Sequence, residues 1–207
     1  MNRFIPIFPL TLVVFPASRY PLHIFEEKYK IMVKECMTKK SGFGIVPTVS
    51  KELSSIGCYV VVDTITNKYA AGDFDIVVEG VQRFTIVSKS LHPDGYYFAE
   101  VEPYDDNTSK VNEFLVAELN ARFKKLVKRI NYKLEDSFWN NLQSAELKSF
   151  KLAEKSGLSI EQQVALIAMQ NETERITLLL EHIKKVEKYL DEKASVMKLI
   201  LNDGYIN

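Results

Sequence analysis

The chain has 207 residues, 46% of them hydrophobic and 26% charged, with 27 basic and 27 acidic side chains. That composition fits a soluble globular protein with enough apolar residues for a real core, and its zero net charge excludes a global field drawing the molecule onto nucleic acid or an anionic membrane. No charged start leads into an apolar stretch and a small-residue cleavage site, so no secretion signal is expected and a cytoplasmic location is.

The segment from Phe4 to Phe25 is rich in large apolar residues but is interrupted by Pro6, Pro9, Pro16 and Pro21. Each proline removes a backbone donor and pushes the residue before it toward extended geometry, so short bent strands are expected and neither a helix nor a membrane span is. After Pro21 the period changes. Phe25, Tyr29, Met32, Val33, Cys36 and Met37 fall at helical spacing, with Glu26, Glu27, Lys28, Lys30, Lys34 and Glu35 on the other side. This predicts an amphipathic helix of about four turns that Ser41-Gly42 stops before a strand over Phe43-Gly44-Ile45-Val46.

The runs Ile5-Pro6-Ile7-Phe8-Pro9-Leu10, Val13-Val14-Phe15-Pro16, Pro21-Leu22-His23-Ile24-Phe25-Glu26, Tyr29 and Phe43-Gly44-Ile45-Val46 stand in that order with short gaps. In this they resemble the amino-terminal substrate-recognition domain of the Lon ATP-dependent proteases and the stand-alone proteins made of that domain. Glu79-Gly80-Val81-Gln82-Arg83-Phe84 extends the likeness to mid-chain. Where the family often has Glu-Pro-Arg-Tyr, this chain has Glu26-Glu27-Lys28-Tyr29, which keeps the positive charge and loses a fork-shaped guanidinium. The resemblance implies a PUA-like barrel and a non-catalytic role in recognising polypeptides, in a form without the ATPase and protease domains.

From Ile45 to Glu102 strand and turn signals alternate. Gly57 to Ile65 and Phe74 to Val78 are rich in β-branched and aromatic residues and are separated at Ala71-Gly72-Asp73. Gly80 is expected to break the second run from Gln82 to Val87, and Pro93-Asp94-Gly95 to turn the chain into a strand over Tyr96 to Glu102. Such spacing predicts a small closed or half-closed β-barrel. A polar break at residues 103–109 places a domain boundary at 105, dividing a β domain, 1–105, from a helical bundle, 106–207.

Beyond it, Val111, Phe114, Leu115, Leu119, Phe123, Leu126, Val127 and Ile130 make one helical stripe. A second helix is expected from Phe138 to Glu154, and a third behind the capping box Ser159-Ile160-Glu161-Gln162. The last opens at Asn171 and carries Ile176, Leu179, Leu180, Ile183, Val186, Leu190, Ala194, Met197 and Leu201. It could run about 30 residues, roughly 45 Å, long enough to dock on its own bundle and still reach a partner. The fold class is thus α+β: a β pseudo-barrel with one amphipathic helix, then a helical bundle with a long last helix.

No catalytic constellation emerges. There is no Gly-Lys-Ser/Thr phosphate loop, Ser41 sits in no nucleophile elbow, and no dyad resembles the Lon protease site. His23, His92 and His182 are scattered, and Cys36 and Cys58 have neither zinc nor redox spacing, so no metal and no cofactor are expected. Asp105-Asp106 reads as a solvated acidic pair.

Three binding surfaces stand against blander readings. Lys124, Lys125, Lys128 and Arg129 gather on one side of the helix over residues 122–133, as an anion-binding face or simply a solvated one. Phe138 and Trp139 make either an exposed anchor or core. Tyr96, Phe98 and Tyr104 belong to an aromatic-rich β half that also holds Tyr69 and Phe74, either lining an apolar groove or filling the interior. Glu26 and Arg83 are expected to pair structurally between the first helix and the sheet. The leading reading is a module that binds unfolded polypeptide or a protein partner, with nucleic-acid binding through residues 122–133 as the alternative.

Overall fold

The computed structural model describes residues 3–107 and 110–202. The order is β1 (Arg3–Leu10), β2 (Arg19–Ile24), α1 (Glu27–Thr38), β3 (Phe43–Val49), β4 (Glu52–Leu53), β5 (Ile56–Lys68), β6 (Phe74–Leu91) and β7 (Tyr97–Pro103). The helices α2 (Glu113–Arg129), α3 (Asp136–Ser144), α4 (Lys148–Ala153), α5 (Ile160–Ala168) and α6 (Glu172–Asn202) follow. The expected class, strands first and a helical half ending in one long helix, is the observed one.

The strands follow the order β1-β7-β6-β5-β3, and β3 then pairs with β1 in parallel, so the path of pairings returns to its start. Each of the five strands sends side chains to one small apolar cluster: Ile5 and Ile7, Val46, Tyr59, Phe84 and Ile86, Ala99 and Val101. That shared contribution places the cluster inside the circuit. Gly44 and Gly57 leave room there for the Phe84 ring, whose outer edge would lie 2.5 Å and 2.7 Å from a Cβ at those positions. Outside the circuit β2 pairs with β6, and β4 forms a hairpin with β3.

Gly80 does not break its strand. β6 runs 18 residues through it, and Val81 is the extra residue of a bulge where Tyr59 faces Gln82 and Val60 faces Gly80. The glycine is needed for close approach instead, because a Cβ there would lie 2.2 Å from the Phe15 carbonyl oxygen. The end of α1 is shifted in the same way: Lys40 takes the left-handed conformation, with φ of 51°. Gly42 serves packing, since its Cβ would fall 1.9 Å from the Val60 carbonyl oxygen.

α1 buries Tyr29, Met32, Val33 and Cys36 as its spacing predicts, but Phe25, ahead of the helix, is 60% exposed, and Lys30 is buried. Its ammonium reaches Asp73 at 2.7 Å and ties α1 to the β5–β6 turn. In the helical half the stretch expected as one helix from Phe138 to Glu154 divides into α3 and α4, and the Lys148 ammonium donates to the Gln143 and Ala145 carbonyls at the break. The Ser159–Gln162 capping box forms, and Asn171 accepts from the Thr173 and Glu174 amides at the start of α6.

The larger apolar cluster joins the outer face of the strands, α1 and the helical half without interruption across residue 105. Along α6 it takes in Ile176, Leu179, Leu180 and Ile183, with Val186 and Leu190 partly covered, whereas residues 191–195 are exposed. The Met197 and Leu201 side chains of the expected stripe lie outside those described.

Candidate functional site

A cleft of about 1180 Å³ lies between the strands and the α2–α4 region. One wall comes from the β1–β2 connection, the start of β2 and the middle of β6, through Pro16, Ala17, Arg19, Glu79 and Val81. The other comes from the α2–α3 connection, α3 and α4, through Tyr132, Leu134, Phe138, Leu147 and Phe150. Val81 and Tyr132 are 50% and 54% exposed, so each wall includes one large side chain open to solvent. Strand alternation from Phe74 to Gly80 already turns Val81 outward, and the bulge leaves the next residue, Gln82, exposed beside it.

The rim is charged, and four of its charges are already matched. Arg19 reaches Asp63 and Glu79 at 3.3 Å and 3.6 Å, and Lys151 meets Glu154 at 2.9 Å. Ser18 donates to Glu154, which fastens the β1–β2 connection to α4.

Arg83 and Asp106, in the cleft lining, belong to a largely buried polar network. Arg83 donates to the carbonyls of Ile167 at 2.7 Å and Met169 at 2.6 Å and to the Asp106 carboxylate. Arg175 donates to Asp106 and Glu172 and to the Met169 carbonyl, and its Nε reaches the Ser149 hydroxyl at 2.9 Å. The two guanidiniums thus share the Asp106 carboxylate, Glu172 adds a second for Arg175, and the residues expected to be a solvated linker pair include the bridge. Burial pushes the Arg83 pKa down, partly offset by Asp106. Burial also opposes the charge on Arg175, but its hydrogen bonds to Asp106 and Glu172 outweigh it and raise that pKa. Both remain cations at neutral pH.

Of the aromatic residues proposed from sequence, Phe138 and Tyr104 line the cleft. Phe138 is 6% exposed, and the Tyr104 hydroxyl donates to the Ala168 carbonyl. Trp139 is half-buried, edge-on to Phe138 and Phe123, with the Lys124 ammonium 5.8 Å from its ring centre. Tyr96 and Phe98 lie elsewhere: Tyr96 is buried, donates to Glu35, and has its pKa pushed up to about 12 by burial. Phe98 is half-buried and stacks on the exposed Phe4 at 6.3 Å.

The expected Glu26–Arg83 pair does not form. Glu26 precedes α1 and meets Lys28 at 3.1 Å, while the three acceptors around Arg83 belong to the linker, the last turn of α5 and the residue after it. Lys124, Lys125, Lys128 and Arg129 are all exposed on α2, but Arg129 is engaged by Asp191 at 2.7 Å, and nearby Arg122 by Glu118 and Glu187. Sequence reasoning missed Val81, Phe150 and Arg175. Val81 carried the only local signal, a β-branched residue next to a strand glycine.

Among the described residues no helix is long and apolar enough to cross a membrane, and no group of three or more His, Cys, Asp or Glu side chains is placed to hold a metal ion. The fold is similar to that of a Lon N-terminal domain protein from Xanthomonas campestris, with a TM-score of 0.68 and 22% identity over 86% of this chain and 98% of the other. It is also similar to the N-terminal domain of a Mycobacterium avium complex Lon protease, with a TM-score of 0.72 and 18% identity over 88% of this chain and 98% of that one. The runs around Pro6, Pro16 and Pro21 that first pointed to this scaffold lie in β1, the β1–β2 connection and β2, and residues 5–185 match as one unit: the chain belongs to the family of the ATP-dependent protease La (LON) substrate-binding domain.

Proposed function

We propose that this chain recognises polypeptide segments and that the cleft between the strands and α3–α4 is where they bind. The observation that carries the reading is the cleft's build: apolar side chains at Val81, Tyr132, Leu147 and Phe138 within a rim of charges, on a scale that accepts several side chains of an extended segment. Aromatic anchors with a polar surround favour polypeptide capture over a small polar ligand. No step of chemistry is assigned to the chain.

The test is titration of a permanently unfolded, carboxymethylated polypeptide against the protein, followed by fluorescence anisotropy. Tyr132→Ala and Val81→Asp are expected to weaken binding by about tenfold or more, in keeping with loss of an interface anchor. Unchanged affinity in both variants sinks the assignment to this cleft.

A second reading, nucleic-acid binding through residues 122–133, draws on Lys125 and Lys128, which have no carboxylate partner among the described residues. It predicts salt-sensitive RNA or DNA binding lost in Lys125→Glu/Lys128→Glu. Absence of binding at low salt removes it.

A further inference from the structure

Phe150 forms part of the cleft floor although it is only 2% exposed. Its ring is held from several directions. The Arg175 guanidinium stands 4.4 Å from the ring centre and that of Arg83 5.3 Å, while the Phe15 ring stacks at 5.7 Å. The preceding residue, Ser149, gives its amide to Glu172 at 2.9 Å. α4, which carries Phe150, has six residues and is too short to hold its own position. What surrounds α4 therefore decides where it sits.

We propose that Arg83, Asp106 and Arg175 are positioning residues for polypeptide recognition, fixing the Phe150 ring and α4 against the strands and so setting the shape of the cleft floor. The proposal rests on the reading of the cleft as the binding site. Arg83 and Asp106 reach the cleft wall, but their bonding is directed inward: Asp106 Oδ1 accepts from both arginines and Oδ2 from Arg175. They act through Phe150. The geometry also explains why a carboxylate on the linker is required. With Asp106 removed, two buried guanidiniums over one ring would repel each other with no carboxylate bonded to both: Glu172 bonds Arg175 and not Arg83, Asp105 reaches Arg83 only through its charge, and Arg83 would be driven out. Loss of its two carbonyl contacts would release the segment after α5 and, with it, the side of the cleft that α4 forms.

Asp106→Asn and the milder Arg83→Lys are to be compared with Ile183→Ala, which lowers stability from a fully buried position on α6 that does not line the cleft. All would be measured below the lowest melting temperature, by anisotropy with the carboxymethylated polypeptide. We expect each network variant to bind at least tenfold more weakly than Ile183→Ala at matched loss of melting temperature. If the network variants bind no worse than that control while Tyr132→Ala does weaken binding, the positioning role is overturned and the cleft assignment survives. If Tyr132→Ala and Val81→Asp both bind normally, the cleft assignment falls and the positioning role falls with it.

Discussion

Asp75 sits at the tip of the β2–β6–β5 sheet and accepts hydrogen bonds from the Tyr69 hydroxyl at 2.7 Å and Asn67 at 3.0 Å, with His23 Nδ1 2.6 Å away. The Tyr69 hydroxyl foremost, then Asn67 and His23, hold its pKa down to about 2. A carboxylate with a depressed pKa contributes stability above its unfolded value, about 4, and that contribution fades as pH falls toward 2. A carboxyl carbon NMR titration should therefore place the Asp75 midpoint near 2, and an ordinary midpoint would show that these bonds are not kept in solution. Burial pushes the Cys58 thiol up to about 12 and raises that of Cys36 as well. Neither should be alkylated by iodoacetamide at pH 8 within minutes in the native protein, while both should react in denaturant. The buried state of these thiols was legible from their apolar runs. The partners of Arg83 were not, because local sequence sets which face a side chain occupies but not which distant carboxylate or carbonyl arrives there.

At the scale of elements, periodicity located most helices and strands, and two errors, at Gly42 and Gly80, fell where a glycine serves close approach instead of a turn. Gly80 looks like a breaker in the sequence, yet β6 passes through it because the Phe15 carbonyl needs the empty space above it. Gly80→Ala should cost roughly 1–3 kcal/mol by overpacking, read as a lower urea midpoint. A change within a few tenths of a kcal/mol would mean that the β1–β2 connection yields easily. The three-stranded β2–β6–β5 extension has a further property: β5 beyond Val60 pairs only with β6, and its outer edge carries Asp63, Thr64, Asn67 and Lys68 with irregularities after Val62 and Ile65. Charge and bulges on an open edge discourage pairing with another chain. The α3–α4 break was invisible in sequence because the apolar spacing continues across it while the capping ammonium comes from Lys148.

For the whole molecule, the main core runs without interruption from the strands into the helices, past the composition break at residue 105. Folding is therefore expected to be a single cooperative transition, with circular dichroism and Trp139 fluorescence giving the same midpoint. Asp106→Ala should lower stability by about 3–5 kcal/mol, the range for a broken buried ion pair. Two separate transitions in the unaltered protein would show that the halves melt independently. The resemblance carried by residues 4–46 pointed to the right scaffold, but that stretch gives the cleft only Pro16, Ala17 and Arg19, and the residues that complete it come from β6 and from segments after residue 103 whose meeting local sequence does not set. The closed strand path also has a consequence for synthesis. β1 begins at Arg3, yet its antiparallel partner β7 ends at Pro103, so at roughly 5–20 residues per second the first strand waits about 5–20 s for that edge to be covered. During that interval the emerging chain exposes Ile5 and Ile7 beside an open strand edge, and it is then that it most needs protection from its neighbours.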